Sequence, residues 1–258
     1  MLPSRCIILA SGASILDGMY EGLFSYLSKE VVFSLNDNIK FVDSTVAMFG
    51  DWYAYRDRFE LFSKHPLVIG RYDMHIGKHI EGATYCPKHN SLILLKCSQD
   101  YHGNEGLSKG LYSGVLTGAF ALNLAIRLGF KQIFLLGFDC GATGKSTHWY
   151  DNFEGAGQFN DYEGKPRTGV GKNDKGNYRT SFYNHSDDSI NLLWKPFEVE
   201  FNNCMIYNVS LESRIAVFPK IGYHSMFKIL KENPIQVNQE EVQKEIRNIL
   251  EPYNKLEK

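Results

Sequence analysis

The chain lacks the cysteine patterns of a disulfide scaffold or a zinc site. Its 258 residues include five cysteines, an odd number, and no two of them form a Cys-x-x-Cys pair. The cysteines are Cys6, Cys86, Cys97, Cys140 and Cys204. Such usage favours reduced thiols, so we expect a protein of a cytoplasmic, reducing compartment.

Long apolar runs and an excess of one charge are missing as well. The first apolar run, residues 6–10, is too short for a signal peptide or a membrane span. We therefore expect a strand there and no integral membrane segment. A net charge of −1 and a hydrophobic fraction of 43% favour neither disorder nor a nucleic-acid partner. Aromatic residues make up 14% of the chain, and a large core explains them better than sugar or base stacking.

The most informative segment runs from residue 112 to residue 139. Tyr112-Ser113-Gly114 is a turn of small residues before an apolar helix, and Gly129 stands where a helix C-terminus favours positive φ. Residues 132–136 are typical of a strand that is buried on both faces, and Asp139 follows them. Because open parallel sheets bind ligands where their strands end, we expect an α/β domain with a site near Asp139.

Three more predicted strands end at small polar residues. These strands, residues 6–10, 31–35 and 44–49, are followed by Ser11-Gly12-Ala13-Ser14, by Asn36 and by Asp51. The first of these turns precedes a helix predicted for residues 15–28, an arrangement that can bind an anion. It is not a full dinucleotide fingerprint, and Ser14 could be only an N-cap. The other predicted elements are strands at 67–69, 92–95 and 204–208 and helices at 188–197 and 239–250.

A glycine-rich segment follows the predicted strand at 132–136. Residues 141–179 contain eight glycines and few aliphatic side chains, and so long a loop inside a compact domain is usually functional or disordered. We interpret residues 141–183 as a lid beside the strand ends; a surface insertion without a role is the alternative. The chain is therefore expected to form a single domain over residues 1–258, with this insertion and a terminal helix at 239–250.

Three further features suggest chemistry. Residues 141–147 resemble a phosphate-binding P-loop, but Asp139 stands where its first glycine is needed and no helix follows. His75 and His79 have the spacing of a helical metal site, although the residues between them disfavour a helix. We therefore predict neither an ATPase nor a metal site. His185 lies just before a predicted helix, where a neutral imidazole could act as a general base; a structural histidine is the alternative.

Together these residues resemble the Rossmann-like bacterial sialyltransferases of glycosyltransferase family 42. They resemble more loosely the related motility-accessory proteins and archaeal 6-hydroxymethylpterin diphosphokinases. The family's Gly-Asn-Gly-Pro-Ser-Leu turn is similar to residues 10–15, and its Thr-Ser-Gly turn is similar to residues 112–114. Its Gly-Ile-Asp and Gly-His-Ser motifs are similar to residues 137–139 and 184–186, and a Cys-Pro-Asn-Ser segment near the nucleotide is similar to residues 207–213. The resemblance covers roughly residues 5–218.

The resemblance implies a Rossmann-like α/β fold with a mostly parallel sheet flanked by helices. It implies a glycosyltransferase that moves a sugar from a nucleotide donor, expected to be CMP-linked, to a glycan or other hydroxyl acceptor. His185 would take the acceptor proton, and Asp51 and Tyr150 would contact the sugar. The nucleotide-binding residues implied are Ser11, Gly12, Ala13, Ser14, Asn36, Ser113, Gly114 and Asp139. The resemblance implies no required cofactor, and a role for Mg²⁺ stays open. A homo-oligomer, a bacterial or phage source and a peripheral membrane association also stay open.

The chain also departs from the family pattern. Ser11 replaces an asparagine, and Gly141 stands where the first of two phosphate-binding tyrosines would be. Asp51 replaces an asparagine near the sialic acid, where a fixed negative charge would repel a carboxylate donor. Two alternatives therefore stay open. One is Mg²⁺-dependent diphosphoryl transfer with Asp37, Asp51 or Asp139 as ligands, and the other is a non-catalytic binding protein that retains the fold.

Overall fold

The computed structural model describes residues 1–72, 87–114, 116–140, 149 and 186–256. The strands in this part of the chain are β1 (Arg5–Leu9), β2 (Val32–Leu35), β3 (Val46–Phe49), β4 (Val68–Arg71), β5 (Leu92–Leu95), β6 (Cys97–Ser98), β7 (Leu111–Tyr112), β8 (Gln132–Leu136) and β9 (Met205–Asn208). The α-helices are α1 (Ile15–Tyr20), α2 (Leu23–Leu27), α3 (Trp52–Asp57), α4 (Phe59–Lys64), α5 (Gly106–Lys109), α6 (Thr117–Arg127), α7 (Asp187–Trp194), α8 (Tyr223–Glu232) and α9 (Gln239–Leu250).

Seven of the strands form one parallel sheet in the order β5-β4-β3-β2-β1-β8-β9, and β6 pairs with β7 separately. The chain builds the sheet outward from β1 to β5 and then returns to place β8 on the other side of β1. This reversal creates a topological switch point between β1 and β8, the place where such sheets bind ligands. The expected Rossmann-like α/β fold is therefore confirmed.

Helices cover both faces of the sheet, which explains why its strands are apolar throughout. In β1, Cys6 and Ile8 belong to the core cluster that contains α6 and α9. The alternate residues Ile7 and Leu9 belong to a second cluster with α1, α2 and α8. Because successive strand residues point to opposite faces, a strand between two helical layers needs apolar side chains at every position.

Several predicted boundaries are confirmed, and two helices are corrected. Residues 92–95, 132–136 and 239–250 form the expected elements, and Gly129 has the expected positive φ of 91°. The single helix predicted for residues 15–28 is wrong, because Gly22 adopts a φ of 85° and separates α1 from α2. The helix predicted for 188–197 ends as an α-helix at Trp194 and continues as a 3₁₀ helix, Lys195–Glu200, with a proline in its first turn.

Most of the predicted lid at 141–183 lies outside the described residues, and so do Tyr150, His185 and the pair His75 and His79. Trp149 is the member of the lid segment that is described. In the described part of the chain, no helix is both long enough and apolar enough to span a bilayer.

Candidate functional site

The turn after β1, residues 11–14 and here called the first turn, is fastened to the turn after β8. The Asp139 carboxylate accepts a hydrogen bond from Ser14 N at 2.8 Å and another from Ser14 Oγ at 2.5 Å. Gly12 N donates to Gly137 O at 2.9 Å. A Cβ on Gly12 would lie 2.5 Å from Asp139 Oδ2, so the close approach requires glycine there. Asp139 is 3% exposed and holds the first turn in place.

Ser14 stands at the N-cap position of α1, but its side chain does not cap that helix. Its hydroxyl donates to Asp139 instead. Two other amides of the first turn are open, because Ser11 N and Ala13 N have no acceptor among the described residues. The first turn therefore offers N–H donors at the switch point, the arrangement that suits a phosphate.

The N-terminus of α6 lies across the ends of β2, β3 and β8. Asn36, which follows β2, approaches Thr117 Oγ1 through its Nδ2 atom at 3.5 Å. A Cβ on Gly50, after β3, would overlap Thr117 Oγ1, and a Cβ on Gly118 would lie 2.7 Å from the Phe138 ring after β8. In the described part of the chain no side chain caps α6, and the N–H groups at such a helix start can bind an anion.

Buried polar atoms without partners are concentrated at the edge of the sheet where its parallel strands end, here called the carboxyl edge. Among the described residues, nine buried side-chain nitrogen or oxygen atoms lack a hydrogen bond. Five of the nine belong to residues at this edge, namely Asn36, Ser113, Asn208, Ser210 and Tyr223. Each such group costs about 1–3 kcal/mol while it stays unpaired, so their concentration indicates a place where a polar ligand completes the bonding.

Ser113 and Gly114 form part of this group just before α6. The Ser113 side chain is 0% exposed, and its Oγ atom has no partner. Gly114 has a φ of 46°, a conformation that favours glycine. The predicted nucleotide-binding residues at 11–14, 36, 113–114 and 139 thus all lie at the carboxyl edge.

The segment after β9 supports the turn after β8. Asn208 Nδ2 donates to Ser213 Oγ at 2.8 Å, and Ser213 Oγ donates to Phe138 O at 2.6 Å. Arg214 N donates to Asp139 O at 2.9 Å. These bonds place residues 207–213 beside the switch point, next to the residues that hold the first turn.

Tyr223, at the start of α8, was not predicted as a site residue. Its ring packs so closely on Gly18 of α1 that a Cβ there would overlap it. Burial raises the pKa of Tyr223 well above its ordinary value, and the negative charge of Asp139 adds to the effect. The hydroxyl therefore stays protonated and can donate, but only the tertiary structure shows that it lies near Asp139.

The acidic residues at the strand ends have partners within the protein. Asp51 is exposed and caps α3 by accepting a hydrogen bond from Ala54 N at 2.9 Å. Asp37 is paired with Arg58 at 2.7 Å. In the described part of the chain, no three His, Cys, Asp or Glu side chains are grouped as ligands for a metal ion. Asp51 is predicted to contact the sugar. In the structure its carboxylate caps α3.

Comparison of the chain with protein-family models, with curated proteins and with solved structures gave no match. The resemblance to sialyltransferases therefore stays a prediction. The fold itself defines the class: a Rossmann-like α/β domain whose candidate site lies at the carboxyl edge.

Proposed function

We propose that the protein is a glycosyltransferase that binds a nucleotide sugar, expected to be CMP-linked, at the carboxyl edge of its sheet. One observation carries the proposal: among the described residues, buried polar atoms without partners are concentrated at the carboxyl edge, beside two N–H groups of the first turn that have no acceptor. Such a set can bind a phosphate together with several neutral hydroxyl and amide groups, as a nucleotide sugar presents.

Each part of the site has a role in this proposal. The N–H groups of Ser11 and Ala13 bind phosphate oxygens, while Asn36 and Ser113 bind polar groups of the nucleoside or sugar. Asp139 acts through Ser14, which it holds with two hydrogen bonds. The N-terminus of α6 adds positive potential at the same edge.

The reaction would be a displacement at the anomeric carbon of the donor sugar. The acceptor oxygen forms a bond to that carbon, and the bond from the carbon to the phosphate oxygen breaks with its electron pair leaving on the nucleotide. His185 takes the acceptor proton as general base. N–H groups that face the departing phosphate stabilise the charge that develops on it.

Diphosphoryl transfer is the competing activity, and it would need carboxylates for Mg²⁺. Asp37, Asp51 and Asp139 are each engaged by a different group, Arg58, Ala54 N and Ser14. These contacts favour the transferase, since a metal would have to compete with each of them. Loss of activity on addition of EDTA would reverse this preference.

The test is thermal unfolding with CMP, CDP, UDP, GDP, ATP and their sugar conjugates, each with and without Mg²⁺. A ligand at a hundredfold excess over its Kd stabilises the native state by about 2.7 kcal/mol. We expect a metal-independent shift with CMP or a CMP sugar, and a His185→Gln variant that keeps this shift but loses sugar transfer. A shift only with ATP and Mg²⁺, or with none of these compounds, would overturn the proposal.

A further inference from the structure

Trp149 connects the glycine-rich segment to the first turn through two donors. Its main-chain N–H donates to Ser11 O at 3.0 Å, and its indole Nε1 donates to Asn38 Oδ1 at 2.8 Å. The side chain is only 1% exposed. A residue expected to belong to a lid over the site is thus buried against the turns that follow β1 and β2.

The Asn38 side chain links Trp149 to the ends of β1 and β2. Its Nδ2 atom donates to Leu9 O at 3.0 Å and to Leu35 O at 3.1 Å, the last residues of β1 and β2. Both amide hydrogens and the Oδ1 atom of Asn38 therefore have partners, although the side chain is completely buried. Its geometry is fixed by β1, β2 and Trp149 together.

The indole ring also has aromatic neighbours. Phe41 packs edge-on at a centroid distance of 5.0 Å, and Phe24 lies at 6.1 Å. The Nε1–Oδ1 bond adds a directional contact to this packing. Packing and hydrogen bonding at Trp149 can thus be separated by mutation.

The Ser11–Gly12 peptide unit is held at both ends. Trp149 N donates to the Ser11 carbonyl, and the Gly12 N–H of the same planar unit donates to Gly137 O. The orientation of this plane helps to set where the neighbouring N–H groups of Ser11 and Ala13 point. Trp149 thereby acts on the donors of the first turn through the backbone of that turn.

We propose that Trp149, together with Asn38, is a positioning residue that holds the first turn in its ligand-binding conformation. The structural part of this inference stands on the contacts above. Its functional consequence, weaker nucleotide binding when the link is cut, rests on the proposed function.

The test compares Trp149→Phe, which removes the indole donor, with Phe24→Leu, which removes packing on the same ring but no hydrogen bond. Amide hydrogen exchange is measured on the full chain without ligand. We expect exchange of the Gly12 and Ser14 amides to rise about tenfold in Trp149→Phe, and less than about twofold in Phe24→Leu, with amides of β8 unchanged. Equal exchange in the two variants would overturn the inference. Asn38→Ala, which removes this bond together with the bonds to Leu9 O and Leu35 O, replaces Trp149→Phe if that variant does not fold.

A second measurement separates this inference from the proposed function. The Kd of CMP is measured for the wild type and both variants, well below their unfolding temperatures. We expect CMP to bind about tenfold more weakly to Trp149→Phe than to Phe24→Leu. Unchanged CMP affinity and unchanged exchange in Trp149→Phe would overturn the inference and leave the proposed function standing. Faster exchange without CMP binding by the wild type would instead support the positioning role and count against the proposed function.

Discussion

The two edges of the sheet differ in how their buried polar side chains are bonded. At the edge where the strands begin, here called the amino edge, these side chains form hydrogen bonds mainly within the protein. At the carboxyl edge, several have no hydrogen-bond partner among the described residues. Arg5 forms a buried ion pair with Glu30 at 2.5 Å and also donates to Asn233 O. Thr45 Oγ1 donates to Gln239 Oε1 at 2.6 Å, and Gln239 Nε2 donates to Glu30 O at 3.1 Å. The carboxyl edge instead carries the unpartnered groups of the candidate site.

The polar groups at the two edges therefore contribute to different properties, which are stability at the amino edge and ligand binding at the carboxyl edge. Paired groups at the amino edge contribute to the stability of the unliganded protein, while unpaired groups at the carboxyl edge cost stability that a ligand can return. Among the described residues, the exceptions at the amino edge include His89, whose Nε2 atom has no partner. The two edges can be tested separately, because substitutions at them should affect different measurements.

Breaking the amino edge should have the largest effect. Glu30→Ala leaves the Arg5 guanidinium buried without its carboxylate, so we expect a loss of about 3–5 kcal/mol in the free energy of unfolding. Urea denaturation measures this loss. The double variant Arg5→Leu, Glu30→Leu is the control and should recover most of it, because an apolar pair leaves no buried charge. A loss below about 1 kcal/mol in Glu30→Ala would contradict the burial of an unpaired Arg5 guanidinium in this variant.

Removing the bonds that hold the first turn should come next. Asp139→Ala deletes the acceptor for both Ser14 donors, and we expect a loss of about 2–4 kcal/mol together with loss of nucleotide binding. Chemical denaturation and a thermal shift with CMP measure the two effects. Asp188→Ala, at an exposed carboxylate, should change stability by less than about 0.5 kcal/mol. Matching values for the two variants would show that Asp139 does not hold the turn.

A pair of serines gives the sharpest contrast between paired and unpaired groups. Ser34 Oγ lies 2.7 Å from Ser44 Oγ, so Ser34→Ala should cost about 1 kcal/mol of stability. Among the described residues the buried Ser113 hydroxyl has no partner, so Ser113→Ala should raise stability by about 1 kcal/mol, because it removes an unsatisfied group. It should nevertheless weaken CMP binding about tenfold, as measured by calorimetry, because the ligand loses a hydrogen bond. The reverse pattern would remove Ser113 from the site.

The last prediction concerns the pH dependence of stability at the amino edge. Burial, followed by the positive charge of Arg247, lowers the pKa of His89 from 6.5 to about 4. Because this pKa is depressed in the folded state, stability is complete above pH 6.5 and falls as the pH drops from 6.5 towards 4. We expect a loss of about 1–2 kcal/mol after allowance for solvent screening of the partly exposed ring.

His89→Phe keeps a ring stacked on Tyr55 but cannot titrate. Urea unfolding of this variant between pH 4 and pH 7 should therefore show a shallower fall than in the wild type. The pKa of His65 is also lowered by burial, so some pH dependence should persist. An identical fall in both proteins would assign the effect to other groups.

Local patterns in the sequence were sufficient for several elements of regular structure. Residues 92–95 and 132–136 are short apolar runs, and residues 239–250 show helical periodicity, so each element is specified by its own side chains. The helix expected at 15–28 failed because its periodicity continues across Gly22, while the backbone there turns to positive φ. Polar residues after strands also indicated the edge at which a site would lie.

By itself, the sequence determined the α/β class and the placement of polar turns after its strands, because both depend on residues that are close together in the chain. Only the tertiary structure decided which of those residues are bonded and which are open. Asp139 holds Ser14 from 125 residues away, and Trp149 reaches Asn38 across 111 residues. These partners meet because β8 lies beside β1 in the sheet, and strand order is a long-range property that no local pattern of side chains carries.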